Sequence, residues 1–280
     1  MSKKTESNQS TAEDISREMT IMRDEYAGKY NTSSLENLSK LYWRLGAFDT
    51  DDEKSIESFI RINDCKVYTK YIGDEIEWKK ITASMKNYLE KEKNNFPLNY
   101  QFTIELNLGK YNIDKGGFEV VNNTGFENSK LIHINSVYQN RVACGERETP
   151  KMYPKSVIML LENPFTMNLV KLDEHVAQAF ILRKKEDPRR TAFLRIRINF
   201  DQYVGNLRGT QNETYAVMHG KIDGYEIFED VHQKNLLLSV NGEDVYDKTL
   251  TGSYTQPAIQ NTAQNPSSDN PIMTGFTAAQ

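Results

Sequence analysis

The pattern of apolar and polar positions changes once along the chain, at Pro97. Before Pro97, apolar residues recur every three or four positions, which is the spacing of amphipathic helices. After Pro97, apolar and polar residues alternate, which is typical of strands with one buried face. The sequence therefore predicts an N-terminal helical region followed by a β-rich region.

The longest helical pattern covers residues 64–96. Its apolar positions alternate between spacings of four and three residues: Val67, Tyr71, Trp78, Ile81, Met85 and Tyr88. Asp64 is placed to cap the first turn, while Gly73 is the weak point at which the helix can kink. An apolar stripe of this kind usually faces a core, so we expect this helix to pack on the sheet.

Shorter helical patterns precede the long one. Residues 12–26 give a weak helix, and a second begins after Ser34, whose side chain suits a helix N-cap. Thr50 and Glu53 have the spacing of a capping box, which predicts that a third helix starts there.

Strand patterns are clearest in residues 102–108 and 192–200. A helix near residues 173–186 interrupts the series of strands. Two dipeptides, Asp223-Gly224 and Asn241-Gly242, lie between strand patterns and favour two-residue hairpin turns. Hairpins join antiparallel strands, so the sheet is expected to be antiparallel.

We therefore predict an α+β fold in which N-terminal helices pack on an antiparallel β-sandwich or partly open barrel with one inserted helix. The expected divisions are a disordered arm (1–12), a helical region (13–97), an antiparallel β-domain (98–250) and a disordered tail (251–280). The two ends are polar and contain too little apolar surface to form a core.

Composition limits the classes of partner. The chain has 280 residues, with 35 basic and 39 acidic side chains and a net charge of −4. Bulk charge therefore favours neither nucleic acid nor an anionic membrane, and we expect no nucleic-acid partner and no transmembrane segment. As written the chain fits the cytoplasm; after removal of a signal peptide it would equally fit the periplasm, an outer-membrane complex or peripheral association with an envelope.

Motifs for chemistry are lacking in the sequence. The four histidines are not at metal-ligand spacing, and no nucleophile motif is present. We expect no metal, no cofactor and no catalytic residue. Cys65 and Cys144 are far apart in sequence, and free buried thiols are the favoured interpretation, with pairing in an oxidising compartment as the alternative.

One segment is strongly basic. We single out six candidate partner-binding residues in it: Arg183, Lys184, Arg189, Arg190, Arg195 and Arg197. If they share one exposed surface, they suit an acidic partner, a phosphate-bearing surface or RNA. The scarcity of aromatic side chains beside them disfavours RNA. The alternative is that the arginines pair with neighbouring acidic side chains of the same chain.

Three stretches carry a resemblance: residues 42–46 (YWRLG), 74–78 (DEIEW) and 225–230 (YEIFED). Over about residues 35–245 the chain resembles a family of bacterial proteins whose domain has no assigned activity. It is also similar to accessory subunits of envelope machines such as Dot/Icm-type secretion complexes. The resemblance implies a non-enzymatic structural or interaction subunit that binds other protein subunits.

Two other function classes remain open. The first is a β-sandwich module that binds a small ligand or glycan. The second is a hydrolase or transferase that uses acidic residues near 215–230. A pocket lined by several acids or histidines with shifted pKa values would favour the enzyme.

Overall fold

The computed structural model describes residues 26, 28–121, 124–134, 144, 152–154, 156–209 and 213–246. The predicted arms at both ends and almost all of the weak helix over residues 12–26 lie outside these residues. The division of the chain into domains therefore stays a prediction.

Five helices lie in the described part of the chain. They are α1 (Leu35–Arg44), α2 (Glu53–Asn63), α3 (Cys65–Tyr71), α4 (Glu75–Glu92) and α5 (Glu174–Arg183). Short 3₁₀ helices cover Lys93–Asn95 and Gly242–Tyr246.

Helix α1 joins two apolar clusters. It begins where the Ser34 side chain accepts a hydrogen bond from the Asn37 amide at 3.1 Å. Tyr42 faces the core under the sheet, whereas its neighbour Trp43 faces a second cluster formed with helices α2 to α4. One short helix thereby holds the helical region against the sheet.

The long helix predicted over residues 64–96 is divided in two. Asp64 caps α3 as expected, because its side chain accepts from the Val67 amide. The chain then leaves the helix at Gly73, and Asp74 caps α4 by accepting from two backbone amides, those of residues 76 and 77. A glycine followed by a capping aspartate favours a new helix start over a continuous helix.

Helix α4 also packs differently from the prediction. Leu89 is buried, and Trp78, Ile81 and Met85 are partly buried, against the cluster that contains Phe59 of α2. The expectation that this helix covers the sheet is wrong, since α1 does so instead. The expected capping box at Thr50 is also absent, because Asp52 caps α2.

Nine strands form one sheet within the described residues. They are β1 (Asn31–Thr32), β2 (Asn99–Asn112), β3 (Gly117–Val121), β4 (Phe126–Ile134), β5 (Ser156–Met167), β6 (Leu169–Lys171), β7 (Thr191–Arg208), β8 (Thr214–Phe228) and β9 (Leu236–Asn241). The order is β4-β5-β8-β7-β2-β3-β6, with β1 beside β2 and β9 beside β8. The β1–β2 and β5–β8 pairs are parallel, and the other pairs are antiparallel.

The sheet curls into a half-barrel. Strands β5 and β6 are separated by Asn168 alone, yet β5 pairs with β8 while β6 pairs with β3. One stretch of chain thus links two distant parts of the sheet. Phe180 of α5 packs on Phe118 of β3, with ring centroids 5.4 Å apart, and both side chains are buried in the core. The α+β prediction is confirmed, and the single curled sheet matches the partly open barrel rather than the sandwich. The sheet is mixed rather than wholly antiparallel, because two of its strand pairs are parallel.

Both predicted two-residue hairpins are wrong. Strand β8 runs through Asp223 and Gly224 without a turn, and Gly224 pairs with Arg197 on β7 and with Asn241 on β9. After Asn241, the chain enters a 3₁₀ helix rather than a returning strand. Asp-Gly has a local preference for a turn, but here pairing of β8 with a strand on each side outweighs it.

The two cysteines form a disulfide, so the favoured prediction of free buried thiols is wrong. The Cα atoms of Cys65 and Cys144 are 5.1 Å apart, and Cys65 is exposed at the start of α3. Residues separated by 79 positions are brought together by tertiary packing, which no sequence spacing could indicate.

Removal of this disulfide is expected to lower the stability of the protein. Replacing both cysteines, as Cys65→Ser/Cys144→Ser, should lower the free energy of unfolding by about 2–4 kcal/mol, because the unfolded chain regains the freedom of a long loop. Urea titration followed by tryptophan fluorescence measures the change. Adding reductant to the unaltered protein should produce the same shift, and an unchanged midpoint in both experiments would contradict the prediction.

Candidate functional site

The six basic residues predicted to bind a partner fall into two groups. Arg195 and Arg197 lie two positions apart on β7 and therefore on the same face of the sheet. Arg183, Lys184, Arg189 and Arg190 lie at the end of α5 and on the turn that leads to β7. The two groups have different surroundings.

Arg195 and Arg197 share one buried carboxylate. The Nε atom of Arg195 lies 2.9 Å from Oε2 of Glu226, and the Nε atom of Arg197 lies 3.6 Å from Oε1. The Glu226 and Arg197 side chains are 3% and 1% exposed, and that of Arg195 is 12% exposed. Both oxygens of one carboxylate thus face cations away from water. We call these three residues the charge triad.

Gly224 makes room for Arg197. A Cβ atom at this position would lie 2.8 Å from Cζ of Arg197 and would overlap its Nη2 atom. The same Nη2 atom donates a hydrogen bond to Oδ1 of Asn241 on β9. A glycine inside a strand often marks such a close approach, and here the approaching group is a side chain from the adjacent strand.

Two tyrosines cover Arg197 from the N-terminal side. The ring centroids of Tyr26 and Tyr30 lie 3.8 and 5.4 Å from its Cζ atom. The Tyr30 hydroxyl donates to Oδ2 of Asp223 at 3.0 Å. Burial, reinforced by the Asp223 charge, raises the pKa of Tyr30 to about 12. Its phenol therefore stays protonated at neutral pH and remains a donor.

Arg195 is held by a second set of contacts. Its Nη1 atom donates to Oε1 of Gln233 at 2.9 Å, and Gln233 in turn donates to the Thr103 hydroxyl at 2.7 Å. The guanidinium also lies over the ring of Phe228, 4.7 Å from its centroid. These contacts tie β2, β7, β8 and the loop that follows β8 to one side chain.

Arg183 is held at the surface by a third ion pair. Its Nε atom donates to both carboxylate oxygens of Glu229, at 2.9 and 2.7 Å. Half of the Arg183 side chain is exposed, whereas Glu229 is buried. The pair joins the end of α5 to the end of β8.

The turn between α5 and β7 fixes the backbone that carries the remaining basic residues. The Asp187 carboxylate accepts backbone hydrogen bonds from Arg189 and Thr191, at 3.0 and 2.9 Å. The bond from Thr191 holds the pKa of Asp187 below its usual value. Arg190 takes a left-handed conformation, with φ of 44°, and donates to the Gly109 carbonyl at 2.6 Å. Arg189 itself is exposed.

The structure therefore does not bring all six cations to one surface. The triad arginines pair internally, which matches the alternative interpretation of an intramolecular role. The exposed cations are those of α5 and the turn. Their binding of a partner stays a prediction.

Four residues of this site were not predicted from the sequence to belong to it: Gly224, Glu226, Glu229 and Gln233. Glu226 and Glu229 lie in the YEIFED stretch, in which Glu226 stands between the apolar residues Tyr225 and Ile227. A carboxylate in a buried strand calls for a cationic partner. That signal, set against the Arg-x-Arg pattern of β7, would have pointed to the triad.

Other chemical sites are not evident in the described residues. No three His, Cys, Asp or Glu side chains within those residues lie close enough together to hold a metal ion. His219 pairs with Asp201, 2.7 Å from Nδ1 to Oδ1, on the outer face of the sheet. Among the helices described, none has the length and apolar character needed to cross a membrane.

The fold and site define an α+β half-barrel held by an internal charge triad. Residues 51–183 match the family model described as a domain of unknown function, DUF4852. The prediction of an uncharacterised domain family is confirmed, whereas no similarity to Dot/Icm-type subunits is shown. No curated protein and no solved structure matches the chain significantly.

Gly224 gives the first prediction from the site. Gly224→Ala should lower the free energy of unfolding by about 1–3 kcal/mol, because the added methyl group overlaps the Arg197 guanidinium. Gly73→Ala is the control, since a Cβ there meets no atom within 4 Å. Urea denaturation compares the two. In an Arg197→Gln background the Gly224→Ala cost should shrink, and strictly additive costs would contradict the overlap.

Glu226 gives the second prediction from the site. Glu226→Gln keeps the size of the side chain but leaves two arginines without a counter-charge, so stability should fall by about 3–5 kcal/mol. Glu229→Gln should cost less than about 1 kcal/mol, because its partner Arg183 is half exposed and screened by water. Equal losses of stability in the two variants would contradict the prediction, because they would show that burial of the charge triad does not account for the loss in Glu226→Gln.

Proposed function

We propose that the protein is a non-enzymatic structural or interaction subunit of a bacterial multiprotein assembly, such as a secretion or envelope complex. One observation carries the proposal. Residues 182–191 and 229–235, which we call the α5–β7 surface, combine exposed apolar side chains with ordered cations.

The apolar part of this surface is Leu182 and Val231, whose exposed fractions are 74% and 59%. Leu182 directly precedes Arg183, and Val231 lies two positions after Glu229, so each is close in sequence to one member of that ion pair. Exposed apolar side chains that share a surface with polar residues around them can mark a protein contact. The α5–β7 surface thus offers apolar side chains around which a protein contact can form, in addition to its charges.

The cationic part is Lys184, Lys185 and Arg189. Lys184 lies 3.9 Å from Asp187, and Lys185 and Arg189 are exposed. Because Asp187 fixes the turn by two backbone hydrogen bonds, a partner would lose little free energy in ordering it. An acidic protein segment that also carries apolar side chains fits this combination.

The disulfide supports an assembly at the cell envelope rather than in the cytosol. Disulfides persist in oxidising compartments and are rare in the cytosol. The Cys65–Cys144 bond therefore favours an assembly at the cell envelope over a cytoplasmic one.

The test compares two double variants of the full chain that change charge equally. Lys185→Glu/Arg189→Glu alters the α5–β7 surface, and Lys66→Glu/Lys79→Glu alters exposed lysines of α3 and α4. Arg190 is left unchanged because it donates to the Gly109 carbonyl within the chain.

Each protein is used to recover stoichiometric partners from the native cell. We expect the unaltered chain and the helix variant to retain one acidic partner, and the surface variant to bind it about tenfold more weakly at low salt. Thermal melts should be alike for all three. Equal capture by both variants, or loss of stability in the surface variant alone, would contradict the proposal.

A further inference from the structure

The outer face of the sheet carries an apolar patch near the starts of β5 and β8. On both strands, outward-facing residues alternate with residues of the core. Three of the outward-facing residues are apolar neighbours, which we call the outer patch: Ile158 and Leu160 of β5 and Val217 of β8. None of the three belongs to either apolar cluster. Leu131 of β4, opposite Leu160, extends the apolar area and is 48% exposed.

The N-terminal chain enters the described structure on this same face. Arg197 alternates with core residues along β7 and therefore points outward. Tyr26 lies over its guanidinium, with 3.8 Å between the ring centroid and Cζ. Residues 1–25 thus lead up to a point on the outer face, beside Gly224 of β8, which is the register partner of Arg197.

From this point, two directions along the outer face are already occupied. Towards the end of β8, Arg195 lies over the ring of Phe228 and is bonded to Gln233. Towards β2, the chain itself continues after Tyr30 as β1. The outer patch lies in a third direction, towards the start of β8.

The segment that precedes Tyr26 has the pattern and the length to reach the outer patch. Its apolar residues share one face of a helix, at spacings of four, three and four: Ile15, Met19, Met22 and Tyr26. A helix over residues 12–26 would span roughly 22 Å. The stretch of β8 from Gly224 back to Val217 covers roughly 23 Å. A helix that ends at Tyr26 therefore extends from Arg197 to the outer patch.

We propose that residues 12–26 form a helix that docks on the outer patch of the same chain, with Tyr26 over Arg197 and Ile15 beside Leu160. A helix of this length is marginal in water, and burial of its apolar stripe on the sheet would stabilise it. Because Tyr26 is already held on the outer face, the segment is present at high effective concentration, which favours it over a second copy. The proposal is independent of the α5–β7 surface, which involves other residues.

Charge along the path fits this occupant. Lys221 is exposed and lies between Gly224 and the outer patch on β8. Asp201, the acidic residue nearby, is paired with His219. Residues 12–25 carry three more acidic than basic side chains. An acidic segment is therefore suited to a path that passes Lys221.

Hydrogen exchange of the full chain, read by mass spectrometry, tests the docking with a matched pair of variants. In the unaltered protein, the amides of residues 15–25 should exchange at least about tenfold more slowly than in the free peptide of residues 12–26. Ile15→Asp places a charge on the apolar stripe and should abolish this protection. Ile21→Asp makes the same change off the stripe and should retain it. Neither variant alters the sheet. Exchange of the unaltered segment at the free-peptide rate, or equal exchange in the two variants, would overturn the inference.

A reciprocal variant asks whether the outer patch is the surface that protects the segment. Leu160→Asp should release residues 15–25 to the free-peptide rate, whereas Val231→Asp, on the α5–β7 surface, should not. Thermal melts check that the altered sheet is folded, and Val217→Asp is the second variant of the outer patch. Protection that survives both changes of the outer patch would overturn the inference. Protection that increases with protein concentration would also overturn it, because a second copy would then be the occupant.

Discussion

The ion pair between Glu226 and the two β7 arginines is the contact on which the arrangement of the strands depends. A carboxylate that is 3% exposed is stable only when cations and hydrogen-bond donors surround it. Arg195 and Arg197 supply the two cations, and Nη1 of Arg195 and Nη2 of Arg197 in turn donate to Gln233 and Asn241. A shift of β7 against β8 by one position would turn both arginines to the other face of the sheet and leave the buried Glu226 without its cations. The triad therefore fixes the register of the longest strand pair in the sheet.

That register has consequences at both ends of β7. At its start, the chain arrives from α5 through a turn that Asp187 closes, and Arg183 is bonded to Glu229 just after β8. At its end, β7 and β8 continue together beyond the point where β2 stops. Within the described residues, the same strand thus presents an ordered cationic turn at one end and a stretch paired with β8 alone at the other.

The sequence predicted what depends on local pattern. The helix after Ser34, the strand at residues 192–200 and the inserted helix after Asp173 all follow from periodicity and capping, and the structure contains each of them. Features set by tertiary contacts could not be predicted in this way. Asp223-Gly224 has the composition of a turn, but its glycine is needed because Arg197 enters from the next strand. The cysteines pair because α3 and residue 144 meet in space.

In the candidate site, too, the local strand pattern was predictable and the tertiary contacts were not. Alternation placed Arg195 and Arg197 on one face of their strand, but it did not reveal whether that face is open to water. The face is closed by β9, by the loop after β8 and by Tyr26 and Tyr30, all distant in sequence. A basic cluster in sequence therefore became an internal ion pair, and only the cations on α5 and the turn stayed exposed.

The match to DUF4852 ends at Arg183, before β7 begins. Within the matched range, β2 would lose β7 and β5 would lose β8, so each would have an unpaired side. Phe102 of β2 and Met159 of β5 are buried in a core that also contains Ile196 of β7 and Met218 of β8. The half-barrel therefore needs chain beyond the matched residues, because neither the backbone hydrogen bonds nor the core is complete without them. The residues that complete the fold, β7 to β9, are also those that carry the charge triad.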